Sequence, residues 1–161
     1  GSFRVGGNKL PDYAPDGPVF VALSNNPAFA GQMIDALRPL ASAEQPMLVK
    51  DHPLSPFPVT ESPHFSHTRM PMSELPALRA LIYCTGTSGL EGILAGIPPL
   101  RFIPECGIAR VILPAGIQVD SSSAATLAGC LQSLPVPPRQ NADTLFPPPD
   151  TDLWKTLLDL T

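Results

Sequence analysis

Two short runs carry the side chains able to do chemistry. Lys50-Asp51-His52-Pro53 places a cation, a carboxylate and an imidazole together at the end of the apolar run Met47 to Val49. Lysine offers phosphate a point charge, and histidine changes charge near neutral pH. The second run, Thr85-Gly86-Thr87-Ser88, delivers three hydroxyls and a permissive glycine to the start of an apolar stretch that ends at Ala95. If that stretch is a helix, its N-terminus carries unpaired N–H groups and a partial positive charge. A phosphate seated there would meet the hydroxyls and the N–H groups of Gly89 and Leu90 together. The bland alternatives are real: Ser and Thr are ordinary helix caps, and a lone Lys or His at a strand end is ordinarily solvated or structural. Glu91, one turn into the helix, either meets a ligand at that turn or complements the helix N-terminus. Ser24, Asn25 and Asn26, after an earlier apolar run, either touch a ligand or cap the helix that follows.

The elements that must position these residues alternate in type. Val19 to Ser24 reads as a strand, and Pro27 to Leu40 as a helix with Phe29, Met33, Ile34, Leu37 and Leu40 at helical spacing. Strands follow at Met47 to Asp51 and His64 to Met70, with a Pro-rich loop between them and a short helix around Ser73 to Arg79 after them. Strand Leu81 to Cys84, helix Ser88 to Ala95 and strand Pro99 to Ile103 come next. A further strand near Ile117 to Val119, a helix from Ser121 to Leu134 capped by Asp120 or Ser121, and an amphipathic helix Asp152 to Leu160 carrying Trp154 complete the chain.

This alternation implies an α/β fold: a Rossmann-like, doubly wound parallel sheet of about six strands in the order 3-2-1-4-5-6, with helices on both faces. In that order the turns after the first and fourth strands flank the crevice where the winding reverses, and His52 ends the strand beside the first. The Pro-rich stretch Leu54 to Pro63 does not suit a crossover helix, which leaves the third strand's place open.

At 161 residues the chain is the size of one domain, and its net charge of −4, with no Lys/Arg block, argues against a nucleic-acid partner. No apolar run is long enough to span a bilayer, and no signal-peptide pattern is present. The three cysteines, Cys84, Cys106 and Cys130, lack zinc or CxxC spacing and suit reduced thiols in the cytoplasm, with Cys84 a small core residue. No metal is expected, since no carboxylate or histidine cluster has ligand spacing. Proline is the outlier, with 22 residues against roughly 5% in ordinary chains. The proline clusters mark connections, so residues 1–17 read as a cloning remnant (Gly1-Ser2) and linker, 18–134 as the Rossmann-like domain, and 135–161 as a Pro-rich excursion with the terminal helix. His64 and His67 read as surface residues and Arg101, alternating outward on its strand, as structural. Glu105-Cys106-Gly107 follows the fifth strand and is a candidate lining for a pocket at that edge of the sheet.

Taken together, VKDHP and the stretch TGTSGLEGILAGIPPLRF from Thr85 to Phe102 resemble the C-terminal, donor-binding domain of GT-B glycosyltransferases of bacterial surface-polysaccharide synthesis. Bacterial sialyltransferases, polysialyltransferases and Kdo transferases share an HP motif and a downstream Ser/Thr motif, matched here by His52-Pro53 and Thr87-Ser88. Ser88, Glu91, Ala95, Gly96 and Pro98 keep the spacing of the downstream unit. The resemblance implies that a nucleotide sugar is the ligand, and it leans towards a CMP-sugar over UDP- or GDP-sugars. It also implies that the HP histidine and the hydroxyls contact the donor's phosphate and ribose. Protonated His52, assisted by Lys50, would then stabilise the departing nucleotide.

The acidic motif that supplies the base in sialyltransferase relatives belongs to an N-terminal domain, and this sequence has no second Rossmann unit to carry it. The expected whole is a two-domain cytoplasmic transferase, peripheral at the inner membrane face, of which this half binds donor without completing transfer. No resident cofactor is implied. A Rossmann-like module of a UDP-sugar 2-epimerase type and a non-catalytic scaffold remain as alternatives, whereas a nicotinamide site is disfavoured because no GxGxxG follows the first strand.

Overall fold

A computed structural model describes residues 9–110, 113–114, 116–145 and 156. Six strands form one all-parallel sheet: β1 Val19–Ala22, β2 Met47–Lys50, β3 Phe65–His67, β4 Ala80–Tyr83, β5 Pro99–Phe102 and β6 Asp120–Ser122. Their order is β3-β2-β1-β4-β5-β6. The winding therefore reverses between β1 and β4, as the alternation of elements predicts.

The central strands are short apolar runs buried on both faces, the pattern a parallel sheet covered by helices requires. One face packs Val19, Val21, Ile82 and Leu100 under α1 (Pro27–Leu37) and α3 (Leu127–Gln132). The other packs Phe20, Leu81 and Tyr83 against Ala95 of α2 (Ser88–Ala95), with Leu75 and Leu78 from the crossover that joins β3 to β4. Asn26 caps α1 by accepting from the Ala28 N–H at 2.9 Å, and Pro27 opens it. The helix stops at Leu37 and its expected last turn tightens into a 3-10 turn, Arg38–Leu40, because Pro39 has no N–H to continue the ladder. At the far end of α2, Gly96 adopts φ 72°, and its N–H bonds the Gly92 and Ile93 carbonyls, a left-handed stop that suits glycine.

The Pro-rich link is a loop as expected, whereas the short helix after β3, the last strand and the start of α3 differ from expectation. The link from β2 to β3 contains no helix among the described residues; Phe57 and Val59 from the Pro-rich loop pack on the α1-side core instead, and β3 keeps its parallel place beside β2. The short helix near Ser73 is a single 3-10 turn, Met72–Glu74, followed soon after by Pro76. The last strand is Asp120–Ser122 rather than Ile117 to Val119, and α3 begins at Leu127, so Asp120 and Ser121 are strand residues and not caps. Ser122 Oγ meets Thr126 Oγ1 at 2.8 Å, and the Thr126 N–H reaches the Ser123 carbonyl, so these residues form a turn before the helix starts.

The flanking segments are applied to the α2 side. Tyr13 bridges Leu78, the Ala14 N–H donates to the Leu78 carbonyl at 2.9 Å, and Leu10 packs against both clusters around α2. From the other end, α4 (Ala142–Leu145) also lies against Leu90 and Leu94. Arg139 and Asp12 meet at 3.3 Å where the two segments approach, an exposed pair of little energetic weight. The amphipathic helix expected at Asp152 to Leu160, with Trp154, lies outside the described residues apart from Thr156, which is helical. Among the described residues no helix is long and apolar enough to cross a membrane.

Candidate functional site

The two turns at the reversal of winding are joined directly. Ser24 Oγ and Thr85 Oγ1 lie 3.0 Å apart, and Ser24 Oγ also accepts from the Asn26 N–H at 3.1 Å. Ser24 is buried, so its hydroxyl serves the turn and the stitch between β1 and β4. Asn26 is committed to capping α1, and Asn25 is exposed on the same rim. Gly86 takes φ 97° in the turn after β4 and has open space around its Cβ position.

On the α2 side of this edge a cleft of about 250 Å³ brings together Lys50, Asp51 and His52 from the end of β2 with Ser88 and Glu91 of α2. Ala22 and Leu23 form its floor, and Pro71, Met72 and Ser73 of the crossover and Leu10 of the entering chain close its sides. Two runs far apart in sequence thus share one cavity. Among the described residues no three His, Cys, Asp or Glu side chains gather as a metal-ligand set.

His52-Pro53-Leu54-Ser55 is a tight turn in which the Ser55 N–H returns to the His52 carbonyl at 2.9 Å. The Leu54 N–H donates to His52 Nδ1 at 3.2 Å. In this geometry Nδ1 accepts, and Nε2 is the ring nitrogen left without a partner among the described residues. Lys50 Nζ donates to the Met70 carbonyl at 2.6 Å and so holds the crossover against the cleft. Burial pushes the Glu91 carboxyl above its ordinary range, with the positive Lys50 opposing the shift.

The start of α2 differs from the simple capped helix. Thr87 occupies the N-cap position, yet its side chain makes no cap hydrogen bond. Its carbonyl accepts from the N–H groups of Leu90 (3.0 Å) and Glu91 (3.2 Å), so Leu90, expected as a phosphate donor, is spent inside the turn. Among the described residues the Ser88 and Gly89 N–H groups and the Thr87 and Ser88 hydroxyls have no hydrogen-bond partner. Gly89 is required by contact: a Cβ there would fall into the ring of Tyr83. Thr87 is exposed, while Ser88 is half-buried on the cleft wall.

Other side chains land elsewhere. Glu105 and Cys106 pack on α1 through Gln32, whose Oε1 accepts from the Glu105 N–H at 2.8 Å and whose Nε2 donates to Cys106 Sγ at 2.8 Å. Gly107 abuts Phe29. None of the three lines the cleft, on whose other face α1 sits. His64 is exposed, but His67 is not a free surface residue: its Nε2 lies 3.1 Å from Asp51 Oδ1, and its N–H donates to Glu61 Oε1 at 2.9 Å. The sequence could have yielded this pair only through the strand register, Val49 opposite His67, which carries Asp51 past the end of β3. Cys84 is buried as expected, and burial raises its thiol to about 11. Arg101 is half-buried, and its Nη2 donates to the Ala109 carbonyl.

Against known protein families, curated proteins and solved structures, the chain has no match.

Proposed function

We propose that this domain binds the nucleotide-sugar donor of a glycosyltransferase of surface-carbohydrate synthesis, with the donor's phosphate at the start of α2. The observation that carries the reading is the single cleft holding Lys50, His52 and Ser88 beside N–H and hydroxyl groups that capping leaves unused. An open parallel sheet binds ligands at the carboxyl ends of its strands where the winding reverses, and this cleft lies on that edge.

The Thr87 and Ser88 hydroxyls and the Ser88 and Gly89 N–H groups donate to phosphate oxygens, with the helix dipole adding to the attraction. His52 Nε2–H and the Lys50 ammonium offset the charge that grows on the nucleotide as the glycosidic bond breaks. Glu91 faces the ribose hydroxyls. The cleft's volume, about 250 Å³, falls just short of the ~300 Å³ at which small-molecule sites begin, which suits one wall of a site completed by a second, acceptor-binding domain. The whole enzyme would then work at the cytoplasmic face of a membrane.

The test is a titration of the domain with CMP, UDP and GDP followed by backbone amide NMR, with Ser88→Ala and His52→Ala as controls. Shifts gathered at residues 50–53 and 85–91 for one nucleotide, and weakened in both variants, are expected. A folded sample that responds to none of the three refutes the reading.

A further inference from the structure

Two buried polar atoms near the carboxyl ends of β4 and β5 have no partner among the described residues: the Tyr83 hydroxyl and Arg101 Nε. Tyr83 and Arg101 are register partners across β4 and β5, and opposed residues of paired strands share a face of the sheet. For Tyr83 that face is the one under α2. Tyr83 is only 3% exposed, and the far end of its ring, hydroxyl included, occupies the place a Cβ on Gly89 would take. The hydroxyl therefore ends against the second residue of α2, whose N–H is itself unpaired.

Buried polar groups are matched in nearly all folded proteins, and each unmatched one calls for an explanation, a bound ion among them. Both orphans can donate: the Tyr83 phenol carries an O–H, and Arg101 Nε carries an N–H and accepts nothing. Arg101 carries a permanent positive charge, and among the described residues it forms no ion pair. Its guanidinium is oriented by the Nη2 bond to the Ala109 carbonyl. Burial raises the Tyr83 phenol even against the pull of Arg101, so it stays an O–H donor at neutral pH.

We infer that Tyr83 O–H and Arg101 Nε–H form the floor of a phosphate subsite whose upper donors are the Ser88 and Gly89 N–H groups at the start of α2. The inference rests on the reading of that turn as a phosphate site and adds to it a pair of donors from the sheet below. The ligand chemistry is a phosphate group, either of a nucleotide or of free pyrophosphate.

Calorimetric titration of the full 161-residue chain with pyrophosphate, CMP, UDP and GDP tests it, in the wild type, Tyr83→Phe and Arg101→Lys. Tyr83→Phe keeps the ring against Gly89 and removes only the hydroxyl; Arg101→Lys keeps the charge and removes Nε–H. Each variant's melting temperature without ligand reports on the fold. The expected result is an unchanged or higher melting temperature for Tyr83→Phe, with affinity down roughly 10-fold or more for every ligand the wild type binds. Arg101→Lys should weaken the same ligands. Equal losses for pyrophosphate and nucleotide identify the phosphate as the contact, and wild-type binding of pyrophosphate alone makes the free anion the occupant; both outcomes support the subsite. Wild-type affinity in a folded Tyr83→Phe and Arg101→Lys overturns the subsite while leaving the phosphate reading of the turn intact. A wild type that binds none of the four overturns both.

Discussion

Replacing Gly89 by alanine should destabilise the fold even though alanine is the better helix former. On an open helix surface the exchange gains about 1 kcal/mol. At this position the added Cβ would overlap the Tyr83 ring at separations that real Cβ atoms do not adopt, and Tyr83 is buried in the cluster under α2. Either the ring leaves its site or α2 lifts from the sheet. Overpacking of this kind costs about 1–3 kcal/mol, and exposing part of a buried aromatic adds to it at about 25 cal/mol per Å². A net loss of about 2 kcal/mol is the expected balance. The overlap disappears in a Tyr83→Leu background, where Gly89→Ala should become neutral or stabilising by up to about 1 kcal/mol. Urea unfolding of the four proteins, followed by far-UV circular dichroism, measures the coupling, expected at about 2–3 kcal/mol. If Gly89→Ala is equally harmless with and without Tyr83, the close packing of α2 on Tyr83 is wrong.

Glu91 makes stability depend on pH with a definite sign. Its folded carboxyl lies above the ordinary 4.5, so the native state holds the proton more tightly than the unfolded chain. Stability is then lost as pH rises from 4.5 through the folded value. Glu91→Gln should be the more stable protein at pH 7, with the gap closing towards pH 4 in urea titrations; a gap that is constant or widens in acid contradicts the burial. The thiols should divide by site: Cys106 is exposed, whereas Cys84 is buried with its thiol raised to about 11. At pH 8 only about a thousandth of Cys84 is thiolate, so a thiol reagent should label Cys106 in the native protein and reach Cys84 only on unfolding. Peptide mapping that finds Cys84 labelled first would contradict its placement.

The centre of the sheet was legible because its strands are short apolar runs punctuated by unambiguous signals. Asn26-Pro27 announces α1, and Gly96-Ile97-Pro98 announces the return into β5. Alternation pointed to the strand order, with only the place of β3 left open by the Pro-rich link, and it placed the turns after β1 and β4 side by side. The rim of the sheet was not legible in the same way. The edge strand β6 is Asp-Ser-Ser, with only Ser122 buried, because one paired side requires little apolar content. Within the site, the gathering of Lys50, His52, Ser88 and Glu91 followed from topology, but the commitments of individual hydrogens did not. That Asn26 caps, that Thr87 does not, and that His52 Nδ1 is occupied depend on turn geometry of one or two residues. The Asp51–His67 pair required the register of the β3 edge, which a three-residue strand of Phe-Ser-His does not announce.

Leu10 is at once a wall of the cleft and a residue packed on α2. The chain thus passes the mouth of the cleft and then runs on to the bridge at Tyr13 and Leu78. Anything joined upstream by a short tether would be held over the mouth at an effective concentration on the order of millimolar. A weak intrinsic affinity between two such halves would then suffice for closure. Lengthening the tether would lower occupancy of the closed form without altering a single contact.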